Sequence, residues 1–324
     1  MVALFGPTGV GKTAVGVEVG RRLGVRVISC DSMQLYPDFP VLTNQPDTAE
    51  LAAAPHVLVR EPGDRGEWNV ALYAERARQL VDEDLAAHGW ALLAGGTGLY
   101  LRAALAPLGV AAARDPHLRA GLEERARLEG PEALHAELAV LDPAAAAAIH
   151  PHNARRIVRA LEVVRSGTEG VWSGRGDLWR PVYRHPTLVV GLVMDREVLY
   201  GRVNRRVGEM VAGGALDEVL RYRARNAEVG ADPGLAVPVP GPAEVRGVEQ
   251  AIGFRELSAY LDGTWTLEEA IERMSAATRR YVRRQWTWMR RLQDAVIIDV
   301  SVRAPADVAD EVVRRARAQR SGGS

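Results

Sequence analysis

The sequence contains one cysteine, one lysine and no long apolar run. Because Cys30 has no second cysteine to pair with, an internal disulfide and a multi-cysteine zinc site are excluded, and a secreted, disulfide-stabilised domain is not expected. No apolar segment approaches the roughly 18 residues that a membrane-spanning helix needs. The first apolar segment follows Met1 directly, without a basic leader, so we expect a cytosolic protein with no membrane partner.

The charges of the chain balance. Lysine plus arginine and aspartate plus glutamate number 41 each, so indiscriminate nucleic-acid binding is not indicated, although a locally basic face is allowed. Hydrophobic residues make up 47% and charged residues 25% of the chain, which is typical of a globular protein rather than a disordered or fibrous one. A length of 324 residues suits one large domain with an elaboration, or two domains.

Short apolar segments separated by helical patterns predict a parallel sheet. The segments that we interpret as strands are residues 2–5, 25–30, 90–94 and 188–194. Helical spacing of apolar residues occurs between them, over 13–23 and 70–87, and this alternation is typical of α/β folds. Each predicted strand ends in a polar or glycine-rich loop. Because ligands of such sheets bind beyond the carboxyl ends of the strands, these loops should converge on one site.

The middle of the chain has a different composition. From residue 113 to 180 the strand pattern gives way to helical sequence rich in alanine, arginine and glutamate, including 141–149 and 154–164. We interpret residues 113–180 as a helical insertion. The core would then be discontinuous, consisting of residues 1–112 and 181–305.

The last third of the chain is predicted to contain a loop, a helical region, a strand and a tail. The proline- and glycine-rich stretch 230–247 predicts a flexible surface loop. Helical sequence follows over 248–292, and an apolar segment at 295–300 predicts a final strand. Residues 315–324 are expected to form a disordered tail.

Residues 6–13 match the phosphate-loop pattern of a glycine, four residues and then Gly-Lys-Thr. They lie between a predicted strand and a predicted helix, so the loop amides and the helix N-terminus should meet a bound phosphate. A lysine fits such a cradle as a compact charge, which arginine cannot replace. The residues that we expect to bind diphosphate are Gly6, Thr8, Gly9, Val10, Gly11, Lys12 and Thr13. The Thr13 hydroxyl is also the expected Mg²⁺ ligand. The loop alone leaves kinases, nucleotide hydrolases and other transferases open.

Five separated stretches resemble the tRNA dimethylallyltransferase (tRNA isopentenyltransferase) family. They are residues 6–13, the Asp-Ser-Met-Gln-Leu-Tyr run at 31–36, the Gly-Gly-Thr-Gly-Leu-Tyr run at 95–100, residues 156–163, and residues 252–254 together with 278–288. The resemblance implies a P-loop NTPase-like parallel sheet flanked by helices, with a helical insertion domain. It also implies a reaction in which the N6 amine of the adenosine on the 3′ side of the tRNA anticodon attacks dimethylallyl diphosphate and diphosphate leaves.

The resemblance assigns roles to residues that follow the predicted strands. Asp31 matches the family's base, which accepts a proton from the attacking amine. Thr97 matches a threonine that contacts the donor's diphosphate, and Arg206, chosen from the cluster at 202–206, matches the arginine that neutralises the leaving group. Gln34 can pair with the adenine edge, and Ser32 can help to orient the base.

The residues by themselves leave other roles open. Asp31 fits a magnesium ligand of the Walker type as well as a base. Gln34 can be a solvent-facing loop residue, Ser32 a turn-capping serine, and the Thr97 loop a simple tight turn.

A basic stripe marks the predicted helix near the C-terminus. No acidic residue interrupts residues 279–291, which favours a contact with a phosphate backbone over an ordinary solvated face. Within it we predict Arg279 and Arg283 as tRNA-binding residues. The target adenine must leave its stack to reach a buried carboxylate, and the resemblance implies that the insertion grips the anticodon arm. We expect a monomer.

The sequence departs from the family pattern in two places after Asp31, at residues 42–46 and at Val57. The family pattern Gly-Thr-Ala-Lys-Pro is replaced by Leu-Thr-Asn-Gln-Pro at 42–46, so Gln45 stands where a lysine is usual. Val57 replaces the second of two histidines. Neither change touches the phosphate loop, Asp31 or Thr97.

Three alternative functions remain at this point. An adenylate isopentenyltransferase would use the same donor on free AMP, ADP or ATP, but a nucleotide needs neither the insertion nor the basic helix. A small-molecule phosphate-loop kinase requires a lid arginine motif, and a nucleotide-switch binding module requires a second strand with a switch loop. Neither motif is identifiable in the sequence.

Overall fold

The computed structural model describes residues 1–61, 68–106, 115–166, 181–231 and 247–321. The chain divides into two compact units. The first consists of Met1–Asn69, Arg76–Leu101 and His185–Ser324, and the second of Val70–Glu75 and Arg102–Arg184. The predicted insertion, 113–180, lies within the bounds of the second unit.

The first unit is built on a parallel sheet, which has six strands among the described residues. They are β1 (Val2–Phe5), β2 (Val27–Ser29), β3 (His56–Val57), β4 (Leu92–Gly95), β5 (Leu188–Val193) and β6 (Val296–Asp299). Their spatial order is β3-β2-β4-β1-β5-β6, and every neighbouring pair is parallel. The central strand β1 is buried throughout, as a sheet covered on both faces requires. The predicted α/β class is confirmed, and β3 is an addition to the predicted strands.

Helices follow most of the strands. They are α1 (Lys12–Leu23), α2 (Thr48–Ala53), α3 (Val70–His88), α4 (Gly98–Leu105), α5 (Pro116–Leu128), α6 (Pro131–Leu141), α7 (Pro143–Ala148), α8 (Ala154–Arg165), α9 (Arg196–Met210), α10 (Leu216–Ala231), α11 (Phe254–Leu261), α12 (Leu267–Met289) and α13 (Pro305–Ser321). The segment Val211–Ala215, kinked at Gly214 with φ 105°, joins α9 to α10, and a 3-10 turn, Gly247–Gln250, precedes α11. None of the helices in the described ranges is long and apolar enough to cross a membrane.

Two predicted helical segments are interrupted in the structure. The segment 141–149 contains a break, because Pro143 has no N–H to continue α6 and Asp142 instead caps α7 by accepting a hydrogen bond from Ala145 N at 2.9 Å. The segment 248–292 is divided before α11 and again before α12. Gly253, with φ 105°, and Gly263, with φ 71°, adopt the left-handed conformation at these breaks. Most of the predicted loop at 230–247 lies outside the described residues.

The prediction of a disordered tail is wrong for residues 315–321, which belong to α13. The helix buries Val308, Val312, Val313 and Ala316 in the same core as Val19 of α1. These residues recur at helical spacing, but the many arginines between them make the segment look polar in the sequence. Residues 322–324 lie outside the described part of the chain.

The second unit has a helical core of its own. Helices α5 to α8 pack around Leu122, Leu134, Leu138 and Leu161, all fully or almost fully buried. The buried carboxylate of Glu162 is met by Arg159, at 3.2 Å. A buried charge requires such a partner, so this ion pair belongs to the unit's interior.

The role of α13 in the core can be tested by truncating one side chain. We expect Val312→Ala to lower the free energy of unfolding by about 1–3 kcal/mol, because it opens a cavity between packed apolar residues. The exposed Arg314→Ala is the matched control and should change stability by less than about 0.5 kcal/mol. Thermal or urea unfolding measures both, and equal effects of the two variants would contradict packing of this helix.

Candidate active site

The phosphate loop connects β1 to α1, and other parts of the chain pack closely against its backbone. Gly9 and Gly11 have φ of 84° and 95°, in the left-handed region that favours glycine. A β-carbon at Gly6 would lie 2.8 Å from the carbonyl oxygen of Leu192, so no larger residue fits there. The Lys12 ammonium donates a hydrogen bond to Pro7 O at 2.9 Å, which holds the lysine across its own loop.

The charge of Lys12 is weakly compensated. Burial lowers the pKa of the Lys12 ammonium to about 8, an effect that the carboxylate of Asp31 opposes and the guanidinium of Arg206 reinforces. The lysine therefore loses its proton more readily than an exposed one. An anionic ligand in the loop would supply the missing negative charge.

Asp31 follows β2 and lies beside these two cations. Burial raises the pKa of the Asp31 carboxyl above its ordinary value, whereas the hydrogen bond from Met33 N and the charges of Lys12 and Arg206 lower it. Met33 N donates to Asp31 Oδ1 at 3.0 Å. A carboxylate with a raised pKa is a stronger proton acceptor than an exposed one, so the surroundings of Asp31 suit a base.

Arg206 reaches this group from α9 and is oriented by two contacts. Its Nε donates to Asn44 Oδ1 at 2.8 Å, and its Nη1 donates to Thr8 Oγ1 at 3.4 Å. Burial lowers the pKa of the guanidinium, while the charge of Asp31 raises it. Of the arginines at 202–206, Arg206 is the one whose contacts tie it to the phosphate loop. Arg202 and Arg205 also line the first of the two cavities described below, and the exposed Arg205 lies 3.5 Å from Glu209.

Thr97 lies behind the Asp31 turn. Ser32 N donates to Thr97 Oγ1 at 3.2 Å, and the two hydroxyl oxygens are 3.5 Å apart. Thr97 Oγ1 is also 3.5 Å from the Tyr281 hydroxyl. Tyr281 was not predicted as a site residue, because its sequence position fits the apolar face of α12. Burial and the charge of Asp31 raise the pKa of its phenol, so Tyr281 stays a neutral hydrogen-bond donor.

Gln285 of α12 joins the two glycine-rich loops. Its Oε1 accepts from Thr8 N at 2.9 Å, and its Nε2 donates to Gly96 O at 2.9 Å. A β-carbon on Gly96 would lie 2.3 Å from that nitrogen, and one on Gly98 would lie 2.4 Å from Trp288. The inner face of α12 therefore fixes the spacing of the phosphate loop and the loop after β4.

The amide of Gln34 is engaged within the protein. Ser29 Oγ donates to Gln34 Oε1 at 3.1 Å, and Gln34 Nε2 donates to Asn44 O at 2.8 Å. Each atom keeps capacity for one further bond, so pairing with adenine stays a prediction. Gln45, which stands where the family has a lysine, is buried. It donates to Tyr36 O at 2.7 Å and accepts from Arg60 Nε at 2.7 Å, which is a structural use of the amide.

Two cavities meet at Asp31 and Arg206. The first, of about 420 Å³, is lined by part of the phosphate loop: Thr8, Gly9, Gly11, Lys12 and Thr13. The second, of about 250 Å³, has an apolar side formed by Met33, Leu42, Val203, Val207, Met210, Ile252 and Met274. Both are lined by Thr8, Asp31, Thr43, Asn44 and Arg206. Gly6, Val10 and Thr97, which were predicted to contact diphosphate, line neither cavity among the described residues, so these three assignments stay predictions.

The basic face of α12 is partly engaged. Arg279 donates to Asn204 Oδ1 at 2.5 Å, so it is less free than the sequence suggests, whereas Arg283 is exposed. The Arg284 guanidinium lies over the Tyr281 ring, 5.5 Å from its centroid, and lines the second cavity. The basic stripe thus begins at the rim of that cavity.

The ligands available to a metal ion are few. The part of the chain that the structure describes contains no cluster of three or more His, Cys, Asp or Glu side chains suited to a metal. Thr13 and Asp31 do line the first cavity. Mg²⁺ is commonly held by one or two protein groups plus phosphate oxygens and water, so this sparse set fits magnesium bound together with a diphosphate.

The fold and the site define an α/β protein of the phosphate-loop class, with a carboxylate at the junction of two cavities. The model of the IPP transferase family matches residues 34–292. The chain therefore belongs to the IPP transferase family.

Individual relatives are similar over most of the chain. The tRNA dimethylallyltransferase of Shouchella clausii (strain KSM-K16) is 40% identical over 299 residues, 91% of this chain and 90% of that protein. The tRNA dimethylallyltransferase of Bacillus subtilis (strain 168) is 35% identical over 304 residues, 93% of this chain and 91% of that protein.

Solved structures show the same likeness. The tRNA isopentenylpyrophosphate transferase of Bacillus halodurans is 33% identical with a TM-score of 0.67, covering 99% of this chain and 97% of that one. A eukaryotic dimethylallyltransferase acting on tRNA is 25% identical with a TM-score of 0.72, covering 93% of this chain and 74% of that one. The P-loop-like fold class is confirmed.

The weakly compensated charge of Lys12 predicts a pH-dependent affinity for diphosphate. Below pH 8 the ammonium is protonated and attracts the anion, so affinity should be highest there and fall by up to tenfold per pH unit as the pH rises above about 8. Titration calorimetry with inorganic diphosphate from pH 7 to pH 9.5 measures this.

Lys12→Ala is the control for that titration. It should bind diphosphate far more weakly at pH 7.5 and lose the fall in affinity above pH 8. A wild-type affinity that is constant over this range would contradict the assignment of Lys12 to the anion.

Proposed function

We propose that this protein transfers the dimethylallyl group from dimethylallyl diphosphate to N6 of the adenosine on the 3′ side of the anticodon in tRNA, releasing diphosphate. The observation that carries the proposal is the position of Asp31 and Arg206 at the junction of the two cavities, with Lys12 beside them. Membership of the IPP transferase family and relatives named tRNA dimethylallyltransferase support the choice of donor and acceptor.

The donor's diphosphate binds in the first cavity. Loop amides and the N-terminus of α1 attract its oxygens, and Lys12 and Arg206 contribute two cations. As the bond between the allyl carbon and oxygen breaks, negative charge accumulates on the departing oxygen. Cations fixed at that position stabilise the transition state more than the ground state.

The acceptor adenine enters the second cavity. Its apolar side, rich in methionine and valine, suits a flat base and the allyl chain, and Asp31 lies where that cavity meets the first. The N6 amine attacks the first carbon of the allyl group while the Asp31 carboxylate accepts one amine proton. A positioned base is typically worth roughly 10²- to 10⁴-fold in rate.

Positioned groups around Asp31 assist this step. Ser32 lines the second cavity, and Thr97 supports the Asp31 turn through its contacts with Ser32. Gln34 lines the first cavity, and its pairing with the adenine edge is proposed on the family resemblance. Thr97 also stays a proposed contact of the diphosphate. These roles rest on the resemblance and on proximity.

The tRNA is held by basic surface outside the cavities. Arg279 and Arg283 contact phosphates of the anticodon arm, and residues 113–180 grip that arm, as the family resemblance implies. The adenine flips out of its stack to reach Asp31.

Magnesium is proposed as a cofactor of donor binding. Thr13 would hold it together with diphosphate oxygens, and when bound it would neutralise part of the leaving group's charge. Asp31 is assigned as the base, and a magnesium-ligand role for it is the alternative.

One assay separates this function from its rivals. Radiolabelled dimethylallyl diphosphate is offered with unmodified tRNA, with AMP and with ATP in separate reactions. We expect label in tRNA alone, released as N6-dimethylallyladenosine after nuclease digestion. Label in AMP or ATP would favour an adenylate isopentenyltransferase. Transfer of phosphate from ATP, with no transfer of the label, would favour a kinase.

The basic stripe of α12 predicts the salt dependence of tRNA binding. Replacing Arg279 and Arg283 by glutamate should weaken tRNA binding and reduce the salt slope by about one unit per lost phosphate contact. Affinity for dimethylallyl diphosphate should be retained. Filter binding across a salt series measures the slope.

The same charge change on α13 is the matched control. Arg314 and Arg317 are exposed on that helix, and their replacement by glutamate should leave the slope nearly unchanged. If both double variants weaken tRNA binding equally, the stripe is an ordinary solvated face.

A further inference from the structure

Asn44 is held by contacts of its backbone and of its side chain. Its backbone has φ 48°, a left-handed conformation that asparagine tolerates better than most residues. Asn44 N donates to Val41 O at 3.0 Å, and Asn44 O accepts from Gln34 Nε2 at 2.8 Å. In the side chain, Asn44 Oδ1 accepts a hydrogen bond from Arg206 Nε at 2.8 Å. The residue therefore links the Asp31 turn to α9.

The loop around Asn44 is anchored on its N-terminal side. The amides of Val41 and Leu42 donate to the two carboxylate oxygens of Glu218 at 2.8 and 2.9 Å. Glu218 is buried, with 3% of its surface exposed, so these are bonds to a shielded charge, which are stronger than ordinary ones.

The C-terminal side of the loop is anchored as well. The buried Gln45 amide bonds to Tyr36 O and to the Arg60 guanidinium, and Arg60 Nη2 donates to Pro46 O at 3.0 Å. With both flanks fixed, Asn44 Oδ1 is an acceptor at a set position, and this is how a supporting residue pre-orients a functional one.

The guanidinium that this acceptor holds needs orientation. Arg206 carries five N–H donors. It contacts Asn44, in the loop just described, and Thr8, in the phosphate loop, so it is held on two sides. A long side chain on a helix otherwise samples many rotamers, and ordering it only in the transition state costs rate. In the family pattern this position is an alanine, which offers no acceptor, so the contact belongs to this chain's own sequence.

We propose that Asn44 is a positioning residue for the transfer reaction, which holds Arg206 against the leaving diphosphate through Oδ1. This inference rests on the proposed function, since it requires that Arg206 act on the diphosphate. Asn44 acts through Arg206 and is assigned no bond to the reacting atoms.

A double-mutant cycle tests the inference. Asn44→Gly removes Oδ1 but keeps the left-handed backbone and the carbonyl that Gln34 uses, and Arg206→Lys keeps a charge but loses the Nε donor. In single-turnover transfer, Asn44→Gly should lower the rate about tenfold while the dissociation constant of dimethylallyl diphosphate changes less than threefold. In the Arg206→Lys background the same change should lower the rate less than twofold, because coupled residues are not additive.

Two outcomes separate this inference from the proposed function. A tenfold loss from Asn44→Gly in both backgrounds shows that Asn44 acts independently of Arg206 and overturns the inference alone. Normal rates for both single variants, Arg206→Lys and Arg206→Ala, would show that Arg206 takes no part in the reaction and would overturn the proposed site. Asn226→Ala, which removes an asparagine on α10 that lines neither cavity, should leave both constants unchanged.

A second variant keeps the inference testable if Asn44→Gly unfolds, which its melting temperature reveals. Asn44→Asp preserves the shape and the acceptor but adds a negative charge against the guanidinium. The carboxylate would then compete with diphosphate for Arg206, and donor affinity should fall at least fivefold. Unchanged donor affinity in a folded Asn44→Asp protein would overturn the inference.

Discussion

The site depends on three ionisable groups placed together in a partly buried region, namely Lys12, Asp31 and Arg206. Burial disfavours the charge of each one, whereas attraction between the carboxylate and the two cations opposes that effect. With two cations and one anion, the group has a net charge of +1 when all three are ionised. This net positive charge attracts an anion such as a diphosphate, and under the proposed function the same arrangement would stabilise the leaving group and keep a carboxylate with a raised pKa beside the acceptor.

The parallel sheet brings these groups together from distant parts of the chain. β1 leads into the phosphate loop, β2 ends at the Asp31 turn and β4 ends at the Gly96 loop, so that all three loops lie at the same edge of the sheet. α12 then closes the arrangement, because Gln285 bonds to both glycine-rich loops. The glycines at these loops permit backbone approaches that a β-carbon would prevent. The order of the strands and the positions of the glycines therefore bring the charged groups of the site close together.

Features with a local sequence signature were predictable, and features that depend on distant contacts were not. The phosphate loop, the strand before Asp31 and the α/β class follow from patterns within a few residues. The contact of Arg206 with Asn44 joins residues 162 apart, and that of Tyr281 with Thr97 joins residues 184 apart, so no local pattern reveals either. The tail was misjudged because arginines hide the apolar stripe of α13. The monomeric state and the cytosolic location stay predictions.

The central claim is that Asp31 is the base, and single-turnover transfer by Asp31→Asn across a magnesium titration tests it most directly. Asparagine keeps the shape of the side chain but cannot take up the amine proton, so the rate at saturating donor should fall by roughly two to four orders of magnitude. Affinities for dimethylallyl diphosphate and tRNA should change little, and added magnesium should not restore the rate. A large loss of donor affinity that magnesium reverses, with a near-normal rate at saturation, would instead show that Asp31 is a magnesium ligand.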